Sequence, residues 1–229
     1  RLAAREVVIT GTPVRPTFQS RDAAASRSAL GLDPARPVML VMGGSQGASG
    51  VNEMILNSLP MHARHALQWQ WLHLAGPNDV EKVRLAYAKH DLKAVVQPFL
   101  AEMDLALSAA TACVSRAGAS SLAELAAMRL PSLLVPFPTA ADNHQWHNAR
   151  AFEETGAAQL LEQREATPEK VSSLLREFVE DAAERNGMKA ALAQWHTPKA
   201  AEHIAERILR SIARPAGAAE DLGSGLPNR

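Results

Sequence analysis

Six short apolar runs recur along the chain, none longer than seven residues, and nearly every one is followed by a helical pattern. Pro37–Met42 reads PVMLVM and is closed by Gly43 and Gly44; Trp69–Ala75 reads WQWLHLA and is closed by Gly76 and Pro77. Lys93–Gln97, Thr111–Ser115, Leu130–Pro136 and Ala157–Leu161 follow. Runs that are continuously apolar, rather than alternating, belong to strands buried on both faces. Between them the spacing predicts helices over Ser49–Ser58, Asp79–Lys89, Met103–Ala109, Ala119–Met128 and Asn143–Glu154. Such alternation predicts an α/β fold: a doubly wound, Rossmann-like parallel sheet covered by helices on both sides. Helical segments close the chain. Thr167-Pro168-Glu169 starts one, with Thr as N-cap and Pro at the first helical position, and Thr197-Pro198 precedes another over Lys199–Ile212. Ala213–Arg229 loses periodicity and reads as a disordered tail.

Composition removes several function classes. The 229 residues carry 24 Lys+Arg and 24 Asp+Glu, a formal net charge of zero, so the basic excess of a general nucleic-acid binder is missing. Aromatics at 4% leave little for a base-stacking surface. Cys113 is the one cysteine, so no intrachain disulfide forms, and its apolar strand makes it a core residue rather than a nucleophile. No apolar stretch reaches the ~18–20 residues of a membrane-spanning helix. The chain opens on Arg1 in mid-phrase and reads as a piece of a longer protein.

Ligands of an open parallel sheet bind beyond the carboxyl ends of its strands. Three loops there carry chemistry. Gly43-Gly44-Ser45-Gln46-Gly47-Ala48 joins a strand to a helix start, whose unpaired N–H groups suit a phosphate. It lacks the Gly-Lys-Ser/Thr of a P-loop and is not GxGxxG. It does fit the Gly-x-Ser-x-Gly elbow of hydrolases, with Ser45 as nucleophile and Asp142 with His196 or His203 as partners. The second loop, Ser115–Glu124, places small residues beside a helix start, and Glu124 could accept both hydroxyls of a ribose. Ser121-Leu122-Ala123-Glu124 equally fits a capping box that serves only its own helix. The third, Pro136–Asn148, gathers Asn143, His144, Gln145 and Asn148 at a helix start; amides that donate and accept at once suit hydroxyl-rich ligands, and the alternative is a polar surface turn. His144 and His147 lack a third metal ligand nearby, and no Asp-x-Asp pair exists to hold a divalent cation against a nucleotide sugar. No cofactor is expected. His73, within a strand, reads as structural.

Five motifs, in order, resemble one family. TGTPVR at Thr10–Arg15, GGSQGA at Gly43–Ala48, PFLAEM at Pro98–Met103, SRAGASSLAEL at Ser115–Leu125 and PFP…ADNHQWHNA at Pro136–Ala149 make residues 7–212 similar to the C-terminal half of the MurG family, the N-acetylglucosaminyltransferases of peptidoglycan synthesis. The resemblance implies a GT-B glycosyltransferase in which residues 1–16 are an interdomain linker and first strand region, 17–212 bind UDP-N-acetylglucosamine and 213–229 are tail. The N-terminal domain, absent here, would bind the lipid-linked acceptor, touch the cytoplasmic face of the inner membrane and carry the general base. This chain is then the donor-binding half of an inverting transferase that converts lipid I to lipid II, inactive alone, and it holds no catalytic residue. The resemblance assigns Arg15 and Ser45 to the diphosphate or its surroundings and Leu100 to uracil through its backbone. It puts Ala119, Ser120, Ser121, Leu122 and Ala123 under the nucleotide, Glu124 on the ribose, and Gln145, with His144 and Asn148 nearby, on the sugar. It also disfavours the elbow reading of Ser45. Thr12 stands where many members have Asn, and Asn143 where an acid is usual. Other readings are another GT-B glycosyltransferase, a UDP-sugar epimerase, or a stand-alone nucleotide-sugar-binding module. Diphosphate charge would be met by Arg15 and helix N-termini without a metal.

Overall fold

The computed structural model describes residues 7–44, 47–62 and 69–213. Six parallel strands form one sheet in the order β3-β2-β1-β4-β5-β6: β1 Val38–Met42, β2 Gln70–Leu74, β3 Ala94–Gln97, β4 Ala112–Ser115, β5 Ser132–Leu134 and β6 Gln159–Leu160. Register is set by pairs such as Met39 with Trp71 and with Ala112, and Cys113 with Ser132. The α/β reading of the sequence is what is found.

The reason lies in β1, the central strand, all five of whose residues are buried. Val38, Leu40 and Met42 face one apolar cluster with Leu72, Cys113, Leu122 and Leu125; Met39 and Val41 face the other with Ile55, Leu59, Trp71 and Val114. The first layer is built by α1 (Ala23–Ala29), α4 (Met103–Ala109), α5 (Ala119–Met128) and α6 (His144–Glu154). The second is built by α2 (Ser49–His62), α3 (Val80–Lys89) and α7 (Pro168–Glu180). The remaining helices are α8 (Ala182–Leu192), with Leu192 in the first cluster and Met188 in the second, and α9 (Ala200–Ala213). The bounds of β5 and α2 differ from those that the sequence suggests. Leu130 is taken up by the end of α5, its N–H bonding Leu125, and Pro136 has no N–H for a ladder, so β5 keeps three residues. α2 runs past Ser58 to His62 with Pro60 inside it, while α1 carries no clear sequence signal. Thr167 caps α7 as expected, accepting from Lys170 N–H at 3.2 Å. Residues 7–15 form neither helix nor strand, so the first strand expected within 1–16 is not found among the described residues. Of the expected tail, 214–229 lie outside them.

One buried polar network ties β2 to the start of α2. His73 is fully buried; its Nε2 meets Asn52 Oδ1 at 2.9 Å and its Nδ1 meets the Tyr87 hydroxyl at 3.1 Å. The Asn52 amide nitrogen donates to Ala75 O and Asp79 Oδ2, both at 2.8 Å, which leaves Oδ1 as acceptor. His73 therefore carries its proton on Nε2 and accepts from Tyr87 on Nδ1, a neutral ring with both nitrogens used. Burial drives its pKa down to about 3. An imidazole near 6.5 when unfolded takes up a proton as the chain opens at lower pH, so its contribution is complete above about 6.5 and declines as pH falls toward about 3. Within that window urea unfolding should show a loss of up to ~1.4 kcal/mol per pH unit from this group, and His73→Gln should flatten the slope. An identical slope in the variant would mean that His73 is not the titrating group.

Candidate functional site

Because the sheet is parallel, the loops leaving every strand gather at one edge, and the helices that follow point their amino ends at it. At the switch point between β1 and β4, Gly47, in the loop after β1, lies against the end of β2. Gly47 has φ +76°, and a Cβ there would come within 2.6 Å of Ala75 O, so this position requires glycine. Asp79, held below the usual carboxylate range by hydrogen bonds from Ser49 and Asn52, fastens the first turn of α2 behind that loop. Although it directly precedes α3, Asp79 makes no cap bond to that helix and serves α2 instead. Ser45 lies outside the described residues.

The β4 loop opens α5 at Gly118, which as N-cap offers no side-chain hydrogen bond. The first N–H groups of α5 are thus left for a ligand. This overturns the capping-box reading: Ser121 lies inside the helix, and Glu124 is a turn further on. Glu124 instead faces Arg15, Oε1 to guanidinium nitrogen 3.9 Å, and Arg15 lies over the Phe18 ring at 4.8 Å. Partial burial raises the Glu124 pKa, and Arg15 opposes the rise. Ala119 and Ser120 are exposed, Ser121 and Ala123 half-buried; Leu122, 4% exposed, is a core side chain, so a ligand could use chiefly its backbone. Leu100, on the loop after β3, packs on the same cluster as Ala117 and Leu122. A cleft of about 250 Å³ gathers Thr12, Ala119, Leu122, Ala123 and Asn148.

Gln145 and Asn148 turn out to be half committed. Gln145 Oε1 accepts from Ala117 N–H at 3.3 Å and Phe137 N–H at 3.0 Å, so it bridges the β4 and β5 loops. Asn148 donates to Ala117 O at 3.0 Å. The expected donor-and-acceptor behaviour of each amide is therefore divided: Gln145 has N–H groups to offer a ligand, Asn148 its oxygen. His144 Nδ1 donates to Ala141 O at 2.8 Å, which leaves Nε2 as its outward nitrogen. Asp142 and Asn143 before it sit at φ +50° and +53°, a conformation that Asx residues tolerate better than most. Among the described residues no group of His, Cys, Asp and Glu could hold a metal, and neither His196 nor His203 is hydrogen-bonded to Asp142.

Sequence reasoning passed over Arg116, although it lies inside a quoted motif. Its guanidinium, 8% exposed, donates to Val135 O at 3.1 Å, Pro136 O at 2.9 Å and Gln163 Oε1 at 2.8 Å, and lies over Phe137 at 5.4 Å. Gln163 in turn lies so close to Gly50 in α2 that a Cβ there would meet its amide at 2.6 Å. One buried cation thus joins the loops after β4, β5 and β6 to the start of α2. No carboxylate pairs with it among the described residues, and burial lowers its pKa to about 10. A wider cleft of about 690 Å³ lies on the β6 side, walled by Phe137, Trp146, Glu162 and Arg164.

The comparisons with known proteins bear on this edge. Residues 38–206 match the model of the glycosyltransferase family 28 C-terminal domain. The chain belongs to that family. Curated relatives named UDP-N-acetylglucosamine–N-acetylmuramyl-(pentapeptide) pyrophosphoryl-undecaprenol N-acetylglucosamine transferase include one from Listeria monocytogenes serotype 4a, 36% identical over 209 residues. Another, from Anaeromyxobacter sp. strain K, is 36% identical over 225 residues. These matches take in 90% and 96% of the chain, which spans only 57% of the length of each relative. Among solved structures, Acinetobacter baumannii MurG aligns with a TM-score of 0.71 and 27% identity over 85% of this chain and 55% of that one. A UDP-N-acetylglucosamine 2-epimerase aligns at 0.60 with 15% identity over 91% and 51%, a likeness of fold alone.

The Arg116 fork has a measurable consequence. Arg116→Lys keeps the charge and loses the planar fork, so two carbonyls and an amide cannot all be served. Urea unfolding should show a loss of about 2 kcal/mol; a variant as stable as the parent would show that the fork is dispensable.

Proposed function

We propose that this chain is the donor-binding half of a peptidoglycan N-acetylglucosaminyltransferase and that its carboxyl edge binds UDP-N-acetylglucosamine. The observation that carries the reading is the meeting of Arg15 and Glu124 beside the uncapped start of α5, in a chain whose family 28 match, residues 38–206, includes Glu124 and α5. Glu124 accepts from the ribose hydroxyls. The amino ends of α2 and α5, with Arg15, take the diphosphate. Ala119–Ala123 lie beneath the nucleotide, Leu100 meets the uracil through its backbone, and Ser45 completes the phosphate loop. Gln145 donates to the sugar while Asn148 and His144 offer acceptors.

In the whole enzyme the acceptor hydroxyl attacks the anomeric carbon in line as UDP leaves, with inversion. Charge gained by the leaving diphosphate is met by helix dipoles and Arg15, preorganised by the Arg116 and Asp79 contacts. The partner segment, about two-fifths of the relatives' length by their 57% coverage, supplies the lipid-linked acceptor site, the base and the contact with the cytoplasmic membrane face. No described helix is long and apolar enough to cross a membrane.

Calorimetric titration tests this. UDP-N-acetylglucosamine should bind the chain, and Glu124→Ala should weaken it about tenfold or more, the loss of charged hydrogen bonds worth ~1.5–3 kcal/mol. Uridine should lose as much as UDP. Gln145→Ala should reduce preference over UDP-glucose while leaving UDP itself nearly unchanged. A folded sample that binds no UDP compound, even with the amino-terminal domain restored, would end the proposal.

A further inference from the structure

The opposite edge of the sheet carries a second concentration of charge, unrelated to the donor site. A cleft of about 260 Å³ opens beneath the amino ends of β4 and β5, lined by Arg21, Arg27, Arg129 and Lys189 together with Ser108 and Thr111. In a parallel sheet this edge receives the carboxyl ends of the helices, which attract cations. Arg27 meets that demand: its Nε donates to Ala109 O at 2.9 Å at the end of α4, and its other nitrogens reach Pro34 O and Thr111 Oγ1. The rest of the charge has no such duty. Arg129 and Lys189 pair with no acid among the described residues, while Arg21 pairs with Asp104. Asp22 is occupied in capping α1 and acts on Arg27 only through space. Four cations thus face two carboxylates, and a dianion would complete the balance.

Two details point to a ligand rather than to helix ends alone. Ser108, only 9% exposed, is one of the lining residues, and its hydroxyl, buried just behind the wall, has no hydrogen-bond partner. Arg129 occupies the left-handed C-cap of α5, φ +50°, where glycine is the unstrained choice.

We infer that this cleft binds a phosphate-class dianion, either free or carried on a lipid headgroup. Its volume suits a phosphate or diphosphate group. Arg129 and Lys189 supply the charge, Ser108 and the remaining Arg21 N–H groups the hydrogen bonds. The inference stands apart from the donor reading, since it concerns the other end of every strand.

The test is an amide NMR titration of the chain with inorganic phosphate at constant ionic strength, beside the Arg129→Gly/Lys189→Gln variant. Glycine relieves the positive φ, so loss of binding in the variant does not come from unfolding. Saturable shifts confined to residues 107–111 and 127–130, with affinity reduced about tenfold or more in the variant, are expected. Sedimentation with phosphatidylcholine vesicles, with and without phosphatidic acid, tells the two sources apart: capture without a response to free phosphate assigns the cleft to a headgroup. Linear or scattered shifts with no vesicle capture, or binding unaltered in the variant, overturn the inference and leave these cations to the helix ends. UDP titrated into the same samples reads the donor site separately.

Discussion

A strand buried on both faces can satisfy its backbone only within its own sheet, and β1 is such a strand along its whole length. That constraint organises the molecule. Covering both faces requires helices in both layers, and returning each helix to start another parallel strand sends every crossover the same way. All strand carboxyl ends and helix amino ends then share one edge, and all helix carboxyl ends share the other. The anion-seeking character of the first edge and the cation-rich character of the second follow from the direction of the chain before any particular side chain is chosen.

What individual residues add is rigidity at the first edge. A diphosphate rewards only donors already in place. Two buried polar groups hold them. Arg116 joins the loops after β4, β5 and β6 through carbonyls and Gln163, and the His73–Asn52–Asp79 network fixes the start of α2 from below. Both are costly to bury, and both repay that by having nearly every donor and acceptor used. Gln145 makes a similar compromise nearer the cleft, giving its oxygen to two loop N–H groups and leaving its nitrogen uncommitted.

The strands and most helices were legible because burial on two faces leaves a local trace, a continuous apolar run ending in Gly or Pro. Met103–Ala109 and Ala119–Met128 are helices over the bounds that spacing suggests. The three candidate loops were legible for the same reason: strand ends locate them. Harder to read was whether Glu124 serves its helix or a ligand. Ser121 and Glu124 have capping-box spacing, and only the helix beginning at Ala119 removes that alternative. Arg116 was passed over, and His73 was legible as structural but without its partners, because the partners of the two lie 19 to 47 and 14 to 21 residues away, beyond any local pattern.

By itself, then, the sequence determined the alternation of elements, the layers and the edge at which the candidate loops gather, since hydrophobic period and turn residues act over a few positions. Tertiary structure decided which polar atoms remain available there. Hydrogen-bond capacity is finite, and whether Gln145, Asn148, Asp79 or Glu124 has any left depends on neighbours brought together by folding, such as Ala117, Phe137, Asn52 and Arg15.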